Sequence, residues 1–198
     1  MAYDPATETV LLFGGQSNRY PGSLGDTWSW NGTTWTKLSP PASPGGSDSD
    51  SMAYDSATGT VLLFNGGCCN PGVGQTWSWN GTTWTRLSPP TSPPLSDGWS
   101  MAYDPATATV LLFGGISSDR TSTRAMLPIT PLGETWSWNG TTWTKLSPAT
   151  SPAARYGASM AYDPGTEAML LFGDGYDREF TDTWTLRDDG SSASNHMN

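Results

Sequence analysis

Side chains able to make or break bonds are few in this sequence and lie far apart. The single histidine, His196, sits in a polar C-terminal stretch, and the two cysteines, Cys68 and Cys69, are adjacent. Two neighbouring cysteines allow a strained vicinal disulfide or a pair of loop thiols; neither staples distant segments. No Ser-His-Asp constellation, phosphate-cradling loop or Cys/His metal spacing is present. Acids are more plentiful, with Asp48 and Asp50 in SDSDS, Asp97, and Asp177 beside Glu179. Two loop acids about 5 to 9 Å apart would suit glycoside hydrolysis. Calcium is a weaker reading, because no DxDxDG loop with a distal acid occurs. The commonest chemistry-bearing surface is aromatic: 11 tryptophans, which could stack a sugar or fill a core. The expectation is a non-enzymatic binding protein with no cofactor and no bound metal.

Composition narrows the class. Of 198 residues, 35% are hydrophobic and 14% charged, with 23 Gly and 16 Pro breaking the chain into short pieces. Such a chain builds short strands and tight turns. A net charge of −9 disfavours nucleic acid, whose binding needs Lys and Arg against phosphates. No apolar run reaches the roughly 18 residues of a membrane span, so insertion into a membrane is not expected. Met1 leads directly into repeat sequence without a signal peptide ahead of it. Richness in Ser, Thr, Trp and Gly with little Lys is associated with exported bacterial proteins, and an extracellular or cell-surface location is the corresponding expectation.

These residues are placed by a repeat. The motif MAYD begins at Met1, Met52, Met101 and Met160, giving spacings of 51, 49 and 59 residues. A period near 50 is that of propeller blades. Each unit carries MAYD, then TVLLFGG or a variant, then DTWSW or a variant; the first three add TTWTKL or TTWTRL. All are short, rich in Val, Trp, Thr, Tyr and Phe, and bounded by Pro, Gly, Asn or Asp. Asp-Pro or Asp-Ser opens the first turn, and Asn-Gly suits a two-residue type I′ hairpin. The Asn-Gly-Thr triplets at Asn31, Asn80 and Asn139 also match a glycosylation acceptor, but the turn explains them fully. The units span about 1–46, 47–95, 96–154 and 155–190, followed by a polar tail, 191–198, in a single domain. The fourth lacks a clear outer strand, since no W-x-x-L follows TWTL.

The pattern of LLFGG, a variable loop, DTW, a short turn and W-x-x-L resembles the kelch repeat, the blade of kelch-type and galactose-oxidase-type propellers. Gly14-Gly15, Gly66-Gly67 and Gly114-Gly115 match its double glycine, whereas the fourth unit has Gly173-Asp174-Gly175. Arg155-Tyr156-Gly157-Ala158-Ser159 matches the lead into its first strand. The resemblance implies an all-β, kelch-like β-propeller of four repeats, each a four-stranded antiparallel blade with its first strand innermost. It does not carry the copper centre of galactose oxidase, which needs histidines and a crosslinked tyrosine.

A two-residue hairpin turn would set Trp30 opposite Thr33 and Trp28 opposite Trp35. Trp28, Trp30 and Trp35 then share one bulky face, as do Trp77, Trp79 and Trp84, and Trp136, Trp138 and Trp143; Trp184 is the counterpart in unit four. Large faces packed on the small Thr and Ser faces of neighbouring blades would fill each junction. The tryptophans therefore read as architecture.

Recognition is expected on the face bearing the long, variable connections. Its candidates are Asn18, Arg19 and Tyr20; Asn70; Arg120 and Arg124 in the insertion 116–133; and Tyr176, Asp177 and Arg178. Just before the inner strands stand Asp48, Asp50, Asp97, Trp99, Arg155 and Tyr156. Each has a plainer role available: turn capping for the aspartates, a bond to the next blade for Arg155, packing for the insertion. The expected partner is a protein or a glycan. Two alternatives are a structural subunit of a larger homo-oligomeric assembly, and a lectin using Trp99 and the tyrosines. Four blades could close by face packing alone, two chains could complete one ring, or the sequence could be part of a longer propeller.

Overall fold

The computed structural model describes all residues except 19–21, 47–48, 67–73, 119–128, 176–179, 187–191 and 196–198. Blade 1 comprises β1 (Ala2–Asp4), β2 (Thr9–Phe13), β3 (Thr27–Trp30) and β4 (Trp35–Leu38). Blade 2 comprises β5 (Asp50–Asp55), β6 (Thr60–Asn65), β7 (Gln75–Trp79) and β8 (Trp84–Leu87). Blade 3 has β9 (Asp97–Asp104), β10 (Thr109–Ser118), β12 (Thr135–Trp138) and β13 (Trp143–Leu146), with an added strand β11 (Ile129–Pro131) pairing with the end of β10. Blade 4 has β14 (Ser159–Asp163), β15 (Ala168–Phe172), β16 (Thr183–Leu186) and β17 (Ser192–Asn195). Every pairing is antiparallel and joins consecutive strands except β10–β12, which passes over β11, and no helix occurs among the described residues. The outer place in blade 4 is thus taken by Ser192–Asn195, inside the stretch expected as a tail.

The turn after each MAYD is built by its aspartate. Asp4 accepts from the Ala6 amide through Oδ1 and the Thr7 hydroxyl through Oδ2, both at 3.0 Å. Asp104 repeats both bonds, and Asp163 does so with Gly165 and Thr166. The last turn residue is left-handed in every blade, with φ of 55° at Glu8, 68° at Gly59, 54° at Ala108 and 51° at Glu167. Three of the four blades therefore hold a residue with a β-carbon where glycine fits best.

The hairpin after WSW departs from the two-residue turn. Asn31 Oδ1 accepts from the Thr33 and Thr34 amides at 3.0 and 2.9 Å and from the Thr33 hydroxyl. That side-chain bonding holds 31–34 in the loop, and the ladder closes with Trp30 opposite Trp35 and Trp28 opposite Lys37. The expected Trp28–Trp35 and Trp30–Thr33 pairs are corrected accordingly. Paired indoles lie 5.5 Å apart at Trp30–Trp35 and 5.3 Å apart at Trp79–Trp84 and Trp138–Trp143.

The corrected register keeps the tryptophans on one face and yields a repeated junction. In blade 2 the aromatic face carries Met52, Val61, Leu63, Trp79 and Trp84, which bury against Leu11 and Phe13 of blade 1. Its opposite face carries Ala53, Leu62 and Phe64, which bury against Met101, Val110, Leu112, Trp138 and Trp143 of blade 3. Ala102, Leu111 and Phe113 of blade 3 meet Met169 and Leu171 of blade 4 in the same way. The same two faces therefore meet at all three junctions, although Leu186 and Ser192 of blade 4 occupy the register positions of the paired tryptophans of blades 2 and 3. Two of the junctions share a polar latch. Trp84 Nε1 donates to Thr27 Oγ1 at 3.0 Å, and Trp143 Nε1 donates to Thr76 Oγ1 at 2.9 Å. Phe13 and Phe64 stand edge-on to those indoles at 5.5 and 5.7 Å.

The inner strands run side by side, as shown by Ser51 Oγ donating to the Trp99 carbonyl and Ser100 Oγ to that of Ala158. The fold is a four-bladed β-propeller, all-β throughout its described residues. Among these residues no apolar cluster joins blade 4 to blade 1. Trp35 is 41% exposed where Trp84 and Trp143 are 1%, and Phe172 is 51% exposed where Phe64 is fully buried.

Candidate functional site on the long-loop face

The connections after β2, β6, β10 and β15 emerge together at one end of the blades. Blade 1 closes its connection compactly, through a bridge between Gln16 and Ser23 and a bond from the Leu24 amide to the Gly15 carbonyl at 2.8 Å. Asn18 stands exposed at its tip. Blade 3 sends out the β10–β11 arm, with Ile116 opposite Pro131 and Ser118 opposite Ile129. Of the expected site residues, Arg19, Tyr20, Asp48, Asn70, Arg120, Arg124, Tyr176, Asp177 and Arg178 lie outside the described residues, as do Cys68 and Cys69.

The segments leading into the inner strands pack against the double glycines. A β-carbon on Gly66 would stand 1.7 Å from the Ser96 carbonyl oxygen, and one on Gly114 would stand 2.4 Å from that of Arg155. These glycines let the next blade's lead-in approach the β6 and β10 ends closely. Asp97 and Trp99 are brought together on the side of β9 that faces blade 2, with Asp50 and Ser51 on the neighbouring strand. Tyr156 lies over Gly98, whose carbonyl accepts from the Gly157 amide at 2.8 Å.

Two candidates prove to be structural in their contacts. Trp99, expected as an exposed stacking surface, is 5% exposed and edge-on to Phe64 at 6.0 Å. Its ring fits because residue 115 is glycine; a β-carbon there would lie 3.0 Å from the indole. Arg155 is fully buried. It forms a bidentate pair with Asp182 at 2.8 and 3.1 Å, donates to the Ala153 and Gly173 carbonyls, and lies 4.1 Å from the Phe180 ring centre. The expected bond to the neighbouring blade is made by its backbone: the Arg155 amide donates to the Leu132 carbonyl at 3.1 Å.

Asp182 is the group that sequence reasoning missed, although a repeat signal marks it. In blades 2, 3 and 4 the residue two before the tryptophan of the TW motif accepts from the indole: Trp77 Nε1 donates to Gln75 at 3.2 Å, Trp136 Nε1 to Glu134 at 3.0 Å, and Trp184 Nε1 to Asp182 at 2.6 Å. In blades 1 and 3 the acid at this position pairs with the outer-strand lysine, Asp26 with Lys37 and Glu134 with Lys145. Blade 4 has Arg155 in that role. The Arg155 hydrogen bond holds the Asp182 carboxyl below its ordinary range, against the upward push of burial and with help from Trp184. Burial likewise pushes Glu134 up, but its bonds to Lys145 and Trp136 outweigh this and leave it lowered.

A cleft of about 290 Å³ opens elsewhere, between blades 1 and 2, lined by Leu38, Pro40, Pro41, Trp79 and Thr82 and lacking ionisable groups. No cluster of three or more potential metal ligands occurs among the described residues.

No known family profile matches the chain, and no curated protein does. Among solved structures it is similar to the structure of YjhT, at 16% identity and a TM-score of 0.62. The match covers 88% of this chain and 53% of that one, so the chain spans about half the length of the structure it resembles. At this identity the likeness establishes the propeller fold alone.

Proposed function

We propose that this propeller is a non-enzymatic interaction module of kelch type that presents its long-loop face to a protein or glycan. The supporting observation is a contrast within the molecule. The first two junctions repeat nearly residue for residue, while the connections on one face differ in every blade, from the compact Gln16–Ser23 bridge to the β10–β11 arm. A rigid scaffold carrying variable loops is the usual arrangement for recognition. Asn18, Asp97, Tyr156 and the arm's exposed Thr130 supply polar and aromatic contacts on that face. A glycan panel and a crosslinking capture from the exported fraction of the source cell provide the first ligands. Replacing residues 116–131 with a short Gly-Ser link should then abolish binding while the far-ultraviolet spectrum is retained. Unchanged affinity in that variant would move the site off the arm.

A further inference from the structure

One joint is repeated along this chain, and each of its halves occurs once more, uncovered, at the ends of the array. The donor half is the aromatic face of the later blade. Trp84 and Trp143 are 1% exposed, donate to the hydroxyls of Thr27 and Thr76, and stand edge-on to Phe13 and Phe64. Blade 1 carries the same half in Tyr3, Val10, Trp28, Trp30 and Trp35, with Trp35 41% and Tyr3 56% exposed. The acceptor half ends blade 4. Phe172 occupies the position of Phe13 and Phe64 and is 51% exposed, and Thr183 occupies the position of Thr27 and Thr76.

We propose that these two halves join between copies of this chain, the aromatic face of blade 1 in one copy seating on the Phe172 and Thr183 face of blade 4 in another. Trp35 Nε1 would then donate to Thr183 Oγ1, and Phe172 would meet the Trp35 indole edge-on. The occupant follows from complementarity already present. The spacing of phenyl and hydroxyl that receives an indole at two inner junctions is supplied, unoccupied, by the chain itself. A like-on-like joint, blade 1 against blade 1, would set indoles against indoles and bury N–H groups without a hydroxyl to accept them. The joint is therefore head-to-tail, and it closes or extends according to the rotation it imposes. It is independent of the loop-face reading.

The test is light scattering on the full chain and on Trp35→Glu and Phe172→Glu, alone and mixed. The wild type should show a mass of at least twice the 21.1 kDa of one chain. Each variant alone should fall to a single chain, because each lacks one half of the joint. An equimolar mixture should recover a two-chain species, since the intact blade 1 of one variant meets the intact blade 4 of the other. Both positions are exposed, so far-ultraviolet spectra should not change. A wild type that stays at one chain at its highest soluble concentration overturns the proposal. So does either variant that keeps the wild-type mass, or a mixture that stays at one chain.

Discussion

Asp182→Asn isolates a buried charge. The substitution keeps the shape of the side chain and an oxygen for the Trp184 indole, but removes the negative partner of a guanidinium with no exposed surface. Arg155 would retain its bonds to the Ala153 and Gly173 carbonyls and its Phe180 contact, none of which carries compensating charge. Stranding a buried partner in this way costs about 3 to 5 kcal/mol. With a urea dependence of about 2 kcal/mol per molar, the transition of blade 4 should move down by roughly 1.5 to 2.5 M. Arg155→Met should cost less, because the Asp182 it leaves behind is at the edge of the buried region, its side chain 12% exposed. The double variant should be better than the sum of the two by at least about 1 kcal/mol, the mark of a coupled pair. The pH dependence follows from the lowered carboxyl. An acid whose folded pKa lies below its unfolded value of about 3.9 adds stability above that value. The contribution disappears as pH falls through the folded pKa. Wild type should therefore lose stability in acid below about pH 4, and Asp182→Asn should lack that component. Urea titrations followed by tryptophan fluorescence at several pH values measure all of this. An Asp182→Asn cost under about 1 kcal/mol, or strict additivity, would refute the buried-pair account.

Other substitutions probe the repeat through its differences. Thr76→Val should cost about 1 to 2 kcal/mol by stranding the Trp143 indole N–H, whereas Thr135→Val should be neutral or stabilising. Thr135 Oγ1 is buried without a hydrogen-bond partner among the described residues, since blade 4 has Ser192 where the others have Trp84 and Trp143. Ala108→Gly should raise stability by about 0.5 to 1 kcal/mol in thermal melts, because it relieves a left-handed alanine. Gly114→Ala should lower it by at least about 3 kcal/mol, given a left-handed backbone and a β-carbon 2.4 Å from the Arg155 carbonyl oxygen; a melt within a degree or two of wild type would contradict that contact.

The architecture was legible because the signals were local and repeated. MAYD, LLFGG and TWSWNGTTW each fix a strand or turn within a few residues, and the period near 50 supplies the stacking. The hairpin register was misjudged for an equally local reason. Asn-Gly alone reads as a two-residue turn, but the threonines that follow give Asn31 Oδ1 two amides to accept from and lengthen the loop. Trp99 looked like a recognition residue because it precedes an inner strand, and what buries it is Gly115 in the adjacent β10 of its own blade and Phe64 in blade 2. Arg155 matched the expected lead-in, yet its partner Asp182 stands 27 residues away with no pattern linking the two in this single sequence. Blade 4 lacks the W-x-x-L signature, and its outer strand forms through backbone pairing that residue identity does not announce.

The near identity of the first two junctions has a consequence for how the molecule assembles. Trp84 and Trp143 fit hydroxyls at Thr27 and Thr76 that are chemically interchangeable, so the faces themselves do not say which blade follows which. A blade 3 formed early during refolding would find the open face of blade 1 as acceptable as that of blade 2. Tandem arrays of like units are prone to such kinetic traps. What breaks the degeneracy is tethering: a short link keeps the next unit at a local concentration that a more distant unit cannot match. The order of the blades is therefore held by the proline-rich connections, and lengthening one of them should slow refolding without weakening the folded state.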